Sequence, residues 1–161
     1  MKTQKLDVNS ISVAVMLGEQ GDYISLTDMA KAKTDAVRAA DVIKNWLRSR
    51  VTLEFLGAWE LMYNPDFKVV EFDHFKQMAG LHTFTLSAKE WIEKTNAIGI
   101  KVTAGRYGGT YAHKDIAFEF GSAISAVFKL YLIKEYQRLK ELKTNRYFNL
   151  WGKIFRKKTS S

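Results

Sequence analysis

The 161-residue chain has no cysteine and a single proline, Pro65. Without cysteine there is no disulfide framework, no thiolate metal site and no cysteine nucleophile, which agrees with a reducing compartment. Asn64-Pro-Asp66 is therefore the one proline break in the pattern. No apolar run approaches the roughly 20 residues of a membrane span. The first ten residues carry charges but no apolar h-region, which argues against a secretory signal. Internal repeats, low-complexity segments and domain-dividing linkers are missing as well.

What is present suits one core. With 47% hydrophobic and 13% aromatic residues, a chain of this length fills a single compact domain and is short for two. The formal net charge is +8. Nine Lys and Arg between Lys134 and Lys158 face only Glu135 and Glu141, so that stretch carries +7 and the remainder +1. A basic chain has nucleic acid, an acidic membrane surface or an acidic protein as partner classes. Total charge does not choose among them; placement does.

Ile11–Leu17 and Tyr23–Leu26 alternate and are rich in β-branched residues, predicting an N-terminal hairpin around Gly18–Asp22. Thr27 is placed to cap a short helix over Asp28–Ala32. A second helix is expected from about Ala36 to Ser49. At 100° per residue it puts Ala39, Ala40, Val42, Ile43, Trp46 and Leu47 on one arc, and Arg38, Asp41, Lys44, Asn45 and Arg48 on the other. A helix pair with a basic, amide-bearing outer face is what a major-groove reader needs, because Arg and Asn make bidentate contacts to guanine and adenine edges. The same face also suits a merely solvated helix.

Thr52 is read as the cap of a third helix through Leu61, with Leu53, Phe55, Leu56, Trp59 and Leu61 as core. Lys68–Phe72 reads as a strand, Asp73–Ala79 as a short helix ended by Gly80, and His82–Leu86 as extended. Ser87-Ala-Lys-Glu90 has capping-box spacing and starts a helix to Ala97. Gly105, Gly108 and Gly109 then sit between strand-like Ile98–Thr103 and Thr110–Ala112. That predicts a β-hairpin whose Gly-rich tip carries Arg106 and Tyr107, although a plain surface turn needs the same glycines. Helices are expected over Lys114–Ile124 and from Ser125 to about Lys143, the latter with a stripe of Phe128, Tyr131, Leu132, Tyr136, Leu139 and Leu142 for packing or a dimer seam. Arg146–Lys158 plots as a basic amphipathic helix interrupted by Gly152.

No catalytic constellation emerges. His74, His82 and His113 lack metal-ligand spacing, and no nucleophile elbow, phosphate loop or dinucleotide fingerprint occurs. Asp66-x-Lys68, with Glu54 or Glu60, has the form of a Mg²⁺ nuclease element, but so short a pattern arises often by chance. The reading is a non-enzyme with no catalytic residues, no metal and no cofactor.

Taken in order, Tyr23-Ile-Ser-Leu-Thr-Asp-Met-Ala-Lys-Ala32, Val42-Ile-Lys-Asn-Trp-Leu-Arg48, Glu54-Phe-Leu56, Trp91-Ile-Glu-Lys-Thr-Asn-Ala-Ile98 and Gly105-Arg-Tyr-Gly-Gly-Thr-Tyr-Ala-His113 resemble the KilA-N domain of phages, large DNA viruses and bacteria, over about residues 11–142. The resemblance implies a DNA-binding α+β module related to the winged helix-turn-helix APSES domain of fungal transcription factors. Asp28–Ala32 and the helix from Ala36 would form the helix pair, and Lys101–Ala112 the wing. The expected architecture is thus a single compact α+β domain over residues 1–143 with an N-terminal hairpin, helix pair, Gly-rich wing and long C-terminal helix, followed by a basic amphipathic tail, 144–161.

Residues and resemblance converge on double-stranded DNA as partner. Lys44, Asn45 and Arg48 are expected at base edges or phosphates of the major groove, with Arg38 on the same outer arc, and Arg106 in or beside the minor groove. Lys31, Lys33, Arg50, Lys101 and Lys114 are expected to neutralise phosphates. Tyr107, Thr110 and Tyr111 complete the hairpin set, the tyrosines as buried supports or as stacking residues. The expected setting is a phage, prophage or viral-type regulator in the cytoplasm of a bacterial or infected host cell. The competing role is a protein-interaction module such as an antirepressor, or a homodimer, acting through Phe128, Leu132, Leu139 or the tail. A membrane is disfavoured as partner because Gly152 interrupts a short helix.

Overall fold

A computed structural model describes residues 2–34, 37–105 and 108–159. Within them the order is β1 (Lys2–Val8), β2 (Ile11–Leu17), β3 (Tyr23–Ser25), α1 (Leu26–Ala30), α2 (Ala39–Leu47), α3 (Arg50–Tyr63), α4 (Val69–Met78), α5 (Ala88–Thr95), β4 (Ile100–Thr103), β5 (Gly109–His113), α6 (Lys114–Ile124) and α7 (Ala126–Thr159). The fold is α+β, as the pattern predicts. One antiparallel sheet, ordered β1-β2-β3-β5-β4, turns one face to the helices. Leu6, Val8, Val13, Val15, Leu17, Ile24, Ile100 and Ala112 fill that face at alternate positions. Ala14, Tyr23 and Tyr111, with Met16 beside them, form a smaller cluster on the other.

The hairpin of β2 and β3 and the later pair of β4 and β5 stand where the alternation put them, but β1 is an addition. Its lysines mask a strand in which only Leu6 and Val8 are buried, and its turn, Asn9-Ser10, takes positive φ at both residues, as a two-residue hairpin loop requires.

Several local expectations are overturned. Thr52 is not the cap of α3: the helix starts at Arg50 after Ser49, and Thr52 is buried within it. Ala40, expected on the buried arc of α2, is exposed. Val69 and Val70 do not belong to a strand: Phe72 and Phe75, three apart, are buried beside Phe67 and Trp91, so the segment is helical from Val69 and leaves the valines exposed. Of residues 82–86, expected to be extended, His82 and Thr83 lie in a turn closed by the Phe84 N–H to the Leu81 carbonyl at 3.1 Å. Leu61 lies on the exposed side of α3. Ser25, not Thr27, caps α1, its hydroxyl accepting from the Asp28 N–H at 3.0 Å. Finally, α7 continues through Gly152 to Thr159 as one helix. Its inward stripe is Phe128, Leu132 and Tyr136, with Leu139 half-buried, whereas Tyr131 and Leu142 are exposed. Because Phe128 and Leu132 pack into the chain's own core, they are not available as a dimer seam.

Asp22, in the turn between β2 and β3, fastens α7 to the sheet. It is buried, and accepts from the Tyr136 hydroxyl at 2.6 Å and from Lys140 Nζ at 2.9 Å. Burial raises the carboxyl's pKa, but the hydrogen bonds from Tyr136 and Lys140 and the charge of Lys140 outweigh it and hold the group below the ordinary carboxylate value. A depressed folded pKa contributes stability that is present above the unfolded value and lost as pH falls through the folded one. Asp22→Asn should therefore lower stability at neutral pH by about 1–2 kcal/mol, a Tm lower by roughly 2–8 °C. That gap should begin to narrow as pH falls below the ordinary carboxylate value of about 4 and close only below the depressed folded value, where the wild-type carboxyl is itself protonated. Thermal melts of both proteins between pH 3 and 7 check this; a gap that does not shrink in acid refutes it.

Candidate nucleic-acid interface

Helix α1 is the hub. Strand β3 ends after three residues, and the chain enters α1 between β2 and β5, where a longer strand would have continued to pair. Side chains of the first helical turn take over the edge donors on both sides. Thr27 Oγ1 accepts from the Thr110 N–H of β5 at 3.0 Å, and Asp28 Oδ2 from the Ala14 N–H of β2 at 2.9 Å. Backbone donors that the missing strand would have satisfied are thereby paired.

The β4–β5 hairpin is built against this turn. Thr103 Oγ1 accepts from the Gly109 N–H at 3.2 Å, the Gly108 N–H reaches the Gly105 carbonyl at 3.0 Å, and Gly105 takes φ +102°, a conformation that suits glycine. A Cβ on Gly109 would lie 2.9 Å from Thr27 Oγ1, so the hairpin sits flush on α1 only because that side chain is absent. Arg106 and Tyr107, the expected tip residues, lie outside the described residues.

The lead-in to β4 is held from below. Glu60, 1% exposed on α3, accepts from the N–H groups of Ile98 and Gly99 at 2.9 and 2.8 Å and from Asn64 Nδ2 at 2.9 Å. The Tyr23 hydroxyl donates to the Ile98 carbonyl at 2.8 Å, and the His113 N–H to the Gly99 carbonyl. Burial, then the nearby Glu60 charge, raises the Tyr23 pKa and keeps the phenol protonated as a donor. Glu60 is thus a structural acceptor, not a nuclease ligand; Glu54 pairs with Arg50, and Asp66 stands exposed in a turn. Among the described residues no three His, Asp or Glu side chains come close enough to hold a metal ion. His113 accepts from the Asp115 N–H through Nδ1 and caps α6. Burial, offset in part by Asp115, keeps its pKa below the ordinary histidine value, consistent with that acceptor role.

Helix α2 packs through Ala39, Ile43, Trp46 and Leu47, with Trp46 edge-on to Phe120 of α6 at 4.9 Å. Its outer side carries Arg38, Asp41, Lys44 and Asn45, all exposed, and half-buried Arg48. Lys44 and Asn45 have no side-chain partner among the described residues. Arg48 Nη2 makes only a 3.4 Å contact to the His82 carbonyl. Of the expected contact residues whose side chains are described, Lys44 and Asn45 are thus presented to solvent without an internal partner.

The other expected cations are already engaged. Lys31 pairs with Asp28 at 3.3 Å, Lys33 Nζ donates to the Ala123 carbonyl at the end of α6, Arg50 pairs with Glu54, and Lys101 Nζ lies 4.1 Å from the Tyr23 ring centroid. Lys31, Lys33, Arg50 and Lys101 nevertheless remain solvent-exposed. Tyr111 is 9% exposed, packed with Ala14 and Tyr23, so it supports the hairpin instead of stacking on a ligand. Burial, then the Asp28 charge, raises its pKa. Thr110 is half-buried and reaches Thr27 through its backbone. Lys114 belongs elsewhere: its N–H bonds the Asp22 carbonyl at the other end of β5, about 13 Å of strand away from the tip.

Glu60, Thr27 and Asp28 are the positioning residues that sequence reasoning missed or misassigned. For Glu60 a signal existed: Leu53, Leu56, Gly57 and Glu60 recur at helical spacing, which puts the acid on the buried stripe. Nothing local marks the reach of Thr27 and Asp28 to strands 83 and 14 residues away.

No curated protein and no solved structure matches the chain. The model of the KilA-N domain does, over residues 7–142, and with most of its length matched the chain belongs to the KilA-N family of DNA-binding domains.

Proposed function

We propose that the protein binds double-stranded DNA with sequence preference, through α2 and the β4–β5 hairpin acting as a helix and wing. The observation that carries this reading is the outer side of α2, where Lys44 and Asn45 are exposed without partners and Arg48 is held only by a long contact. Lys and Arg reach guanine O6 and N7 or phosphates, and Asn pairs with adenine, so this trio suits a major groove. Arg38, Lys31, Lys33, Arg50 and Lys101 supply phosphate contacts around it, the paired ones by exchanging an internal carboxylate or carbonyl for a phosphate. The hairpin, seated on Thr27, lies in or beside the minor groove, with Arg106 as its cation and Tyr111 as its buried support.

The matched residues 7–142 hold 17 Lys and Arg and all 17 acids, so the domain is formally neutral. Its affinity then depends on where cations stand, not on a general positive field, which favours a regulator that selects its site over one that coats DNA. A role in phage, prophage or viral regulation fits such a module. Fluorescence anisotropy with a pool of random duplexes is the test. Saturable binding at about 50 mM salt, falling steeply as salt rises, supports the reading. A folded protein that does not bind under those conditions disproves it.

A further inference from the structure

Past Leu139 the helix α7 leaves the body. From Lys140 to Ile154 every described side chain is exposed except half-buried Lys143 and Gly152. The stretch from residue 143 to 159 is about 25 Å of helix at 1.5 Å per residue. The last fastening is at Asp22, where Lys140 and Lys143 border Leu17, Gly18 and Glu19. Asp22 also bonds the start of α6 next to His113, so this is the end of β5 opposite the Gly105–Gly108 tip. The helix therefore extends from the side of the sheet away from the hairpin.

Its composition is segregated. Residues 143–161 contain six Lys and Arg and no acid. At 100° per residue, Leu150, Ile154, Trp151 and Phe148 span an arc of about 160°, and Asn145, Asn149, Lys153 and Arg146 an arc of about 100° on the other side, with Lys143, at the fastened end, the cation among the described side chains that falls on the apolar side. All four large apolar side chains are exposed, at 58%, 42%, 45% and 66%. A second copy of the same segment is a poor cover, since two acid-free cationic helices repel. DNA phosphates match the charge but cannot bury Phe, Leu, Trp and Ile. An anionic bilayer surface accommodates both arcs at once, with apolar side chains at the acyl boundary and cations among the headgroups. The uninterrupted run of α7 through Gly152 removes the sequence argument against this partner. No helix of the described residues is long and apolar enough to cross a membrane, so the contact is one of lying on the surface.

We infer that residues 143–159 of α7 are an interfacial anchor for anionic lipid membranes, separate from the DNA-binding surface. The test is co-sedimentation of the full chain, without DNA, with vesicles of phosphatidylcholine and of 7:3 phosphatidylcholine to phosphatidylglycerol. Binding to the anionic vesicles is expected to exceed binding to the neutral ones by about tenfold or more. Trp46, Trp59 and Trp91 are buried and Trp151 is exposed, so insertion should appear as a blue shift of tryptophan emission that Trp151→Phe abolishes while binding persists. Leu150→Asp with Ile154→Asp, both at exposed positions, should lose about tenfold or more in vesicle binding with an unchanged melt. Failure of the full chain to sediment with anionic vesicles overturns the inference. So does equal binding by the double variant, which would mean adsorption by charge alone, or a concentration-dependent dimer that the double variant abolishes, which would assign the face to a second copy. Loss of duplex binding in the double variant would assign the arm to DNA. Vesicle binding by a protein that ignores DNA would leave this inference standing and sink only the DNA reading.

Discussion

Glu60→Ala should cost the protein a large part of its stability. The carboxylate is buried and accepts three hydrogen bonds, from Ile98 N–H, Gly99 N–H and Asn64 Nδ2. Truncation leaves the Ile98 and Gly99 N–H groups without their acceptor and Asn64 Nδ2 with the Asn96 carbonyl alone, around a carboxylate site that is itself 1% exposed. At about 1–3 kcal/mol for each buried unsatisfied group, and with some relaxation, the expected loss is roughly 3–5 kcal/mol. A domain of this size has only about 5–15 kcal/mol to lose. Glu60→Gln keeps the shape but turns one acceptor oxygen into a donor facing Ile98 N–H or Gly99 N–H, so it should fall between. Urea unfolding gives the ordering; a Glu60→Ala protein within about 0.5 kcal/mol of the wild type would show that the three bonds carry no net weight. Local consequences should match: amide exchange in β4 and β5 should speed up more than in β1 and β2, because the tether of Ile98 and Gly99 precedes the hairpin directly.

Reversing charge on α2 should abolish most duplex binding without touching the fold. In Lys44→Glu with Arg48→Glu, two cations become anions on the side of the helix away from Ile43, Trp46 and Leu47. Loss of base or phosphate contacts at about 1–3 kcal/mol each, with repulsion added, amounts to roughly 3–4 kcal/mol, a hundred- to thousandfold weaker Kd. The slope of log K against log salt should flatten by about two, one for each lost phosphate or charged contact. A charge-matched control, Lys134→Glu with Arg138→Glu on the exposed side of α7, should change affinity far less. Equal losses in the two double variants would show that net charge, not the α2 surface, governs binding.

Much of the frame was legible in sequence because each legible part is local. The amphipathic period of α2, the Ser87 cap of α5 and the glycine spacing of the β4–β5 hairpin are written within a few residues of where they act. The errors share a cause: tertiary contacts overrode local preference. Val69 and Val70 favour a strand, but Phe72 and Phe75 dock on Trp91 and draw the segment into a helix. Gly152 would weaken a lone helix, yet α7 already runs for 26 residues before it, anchored in the core by Phe128, Leu132 and Tyr136, and propagation through one glycine costs only about 1 kcal/mol. For the candidate interface, sequence periodicity located the α2 cluster, because exposure on a helix follows its period. It could not separate presented cations from engaged ones. Lys33 and Lys101 look like Lys44 in sequence, and only the fold brings the Ala123 carbonyl and the Tyr23 ring to them.

Strand β3 is three residues long, and that brevity meters the spacing of the whole upper half of the molecule. Its register fixes Tyr23 opposite His113 and Ser25 opposite Tyr111, and the very next residue starts α1. One residue inserted between Tyr23 and Ser25 would displace the start of α1 by about 3.3 Å along the strand and turn the residues after it to the opposite face of the sheet. Thr27 would then miss Thr110, Asp28 would miss Ala14, and α2 would swing relative to the hairpin. A protein that tolerates length changes in its surface loops should have no such tolerance here: the three-residue strand is the ruler against which helix and hairpin are set.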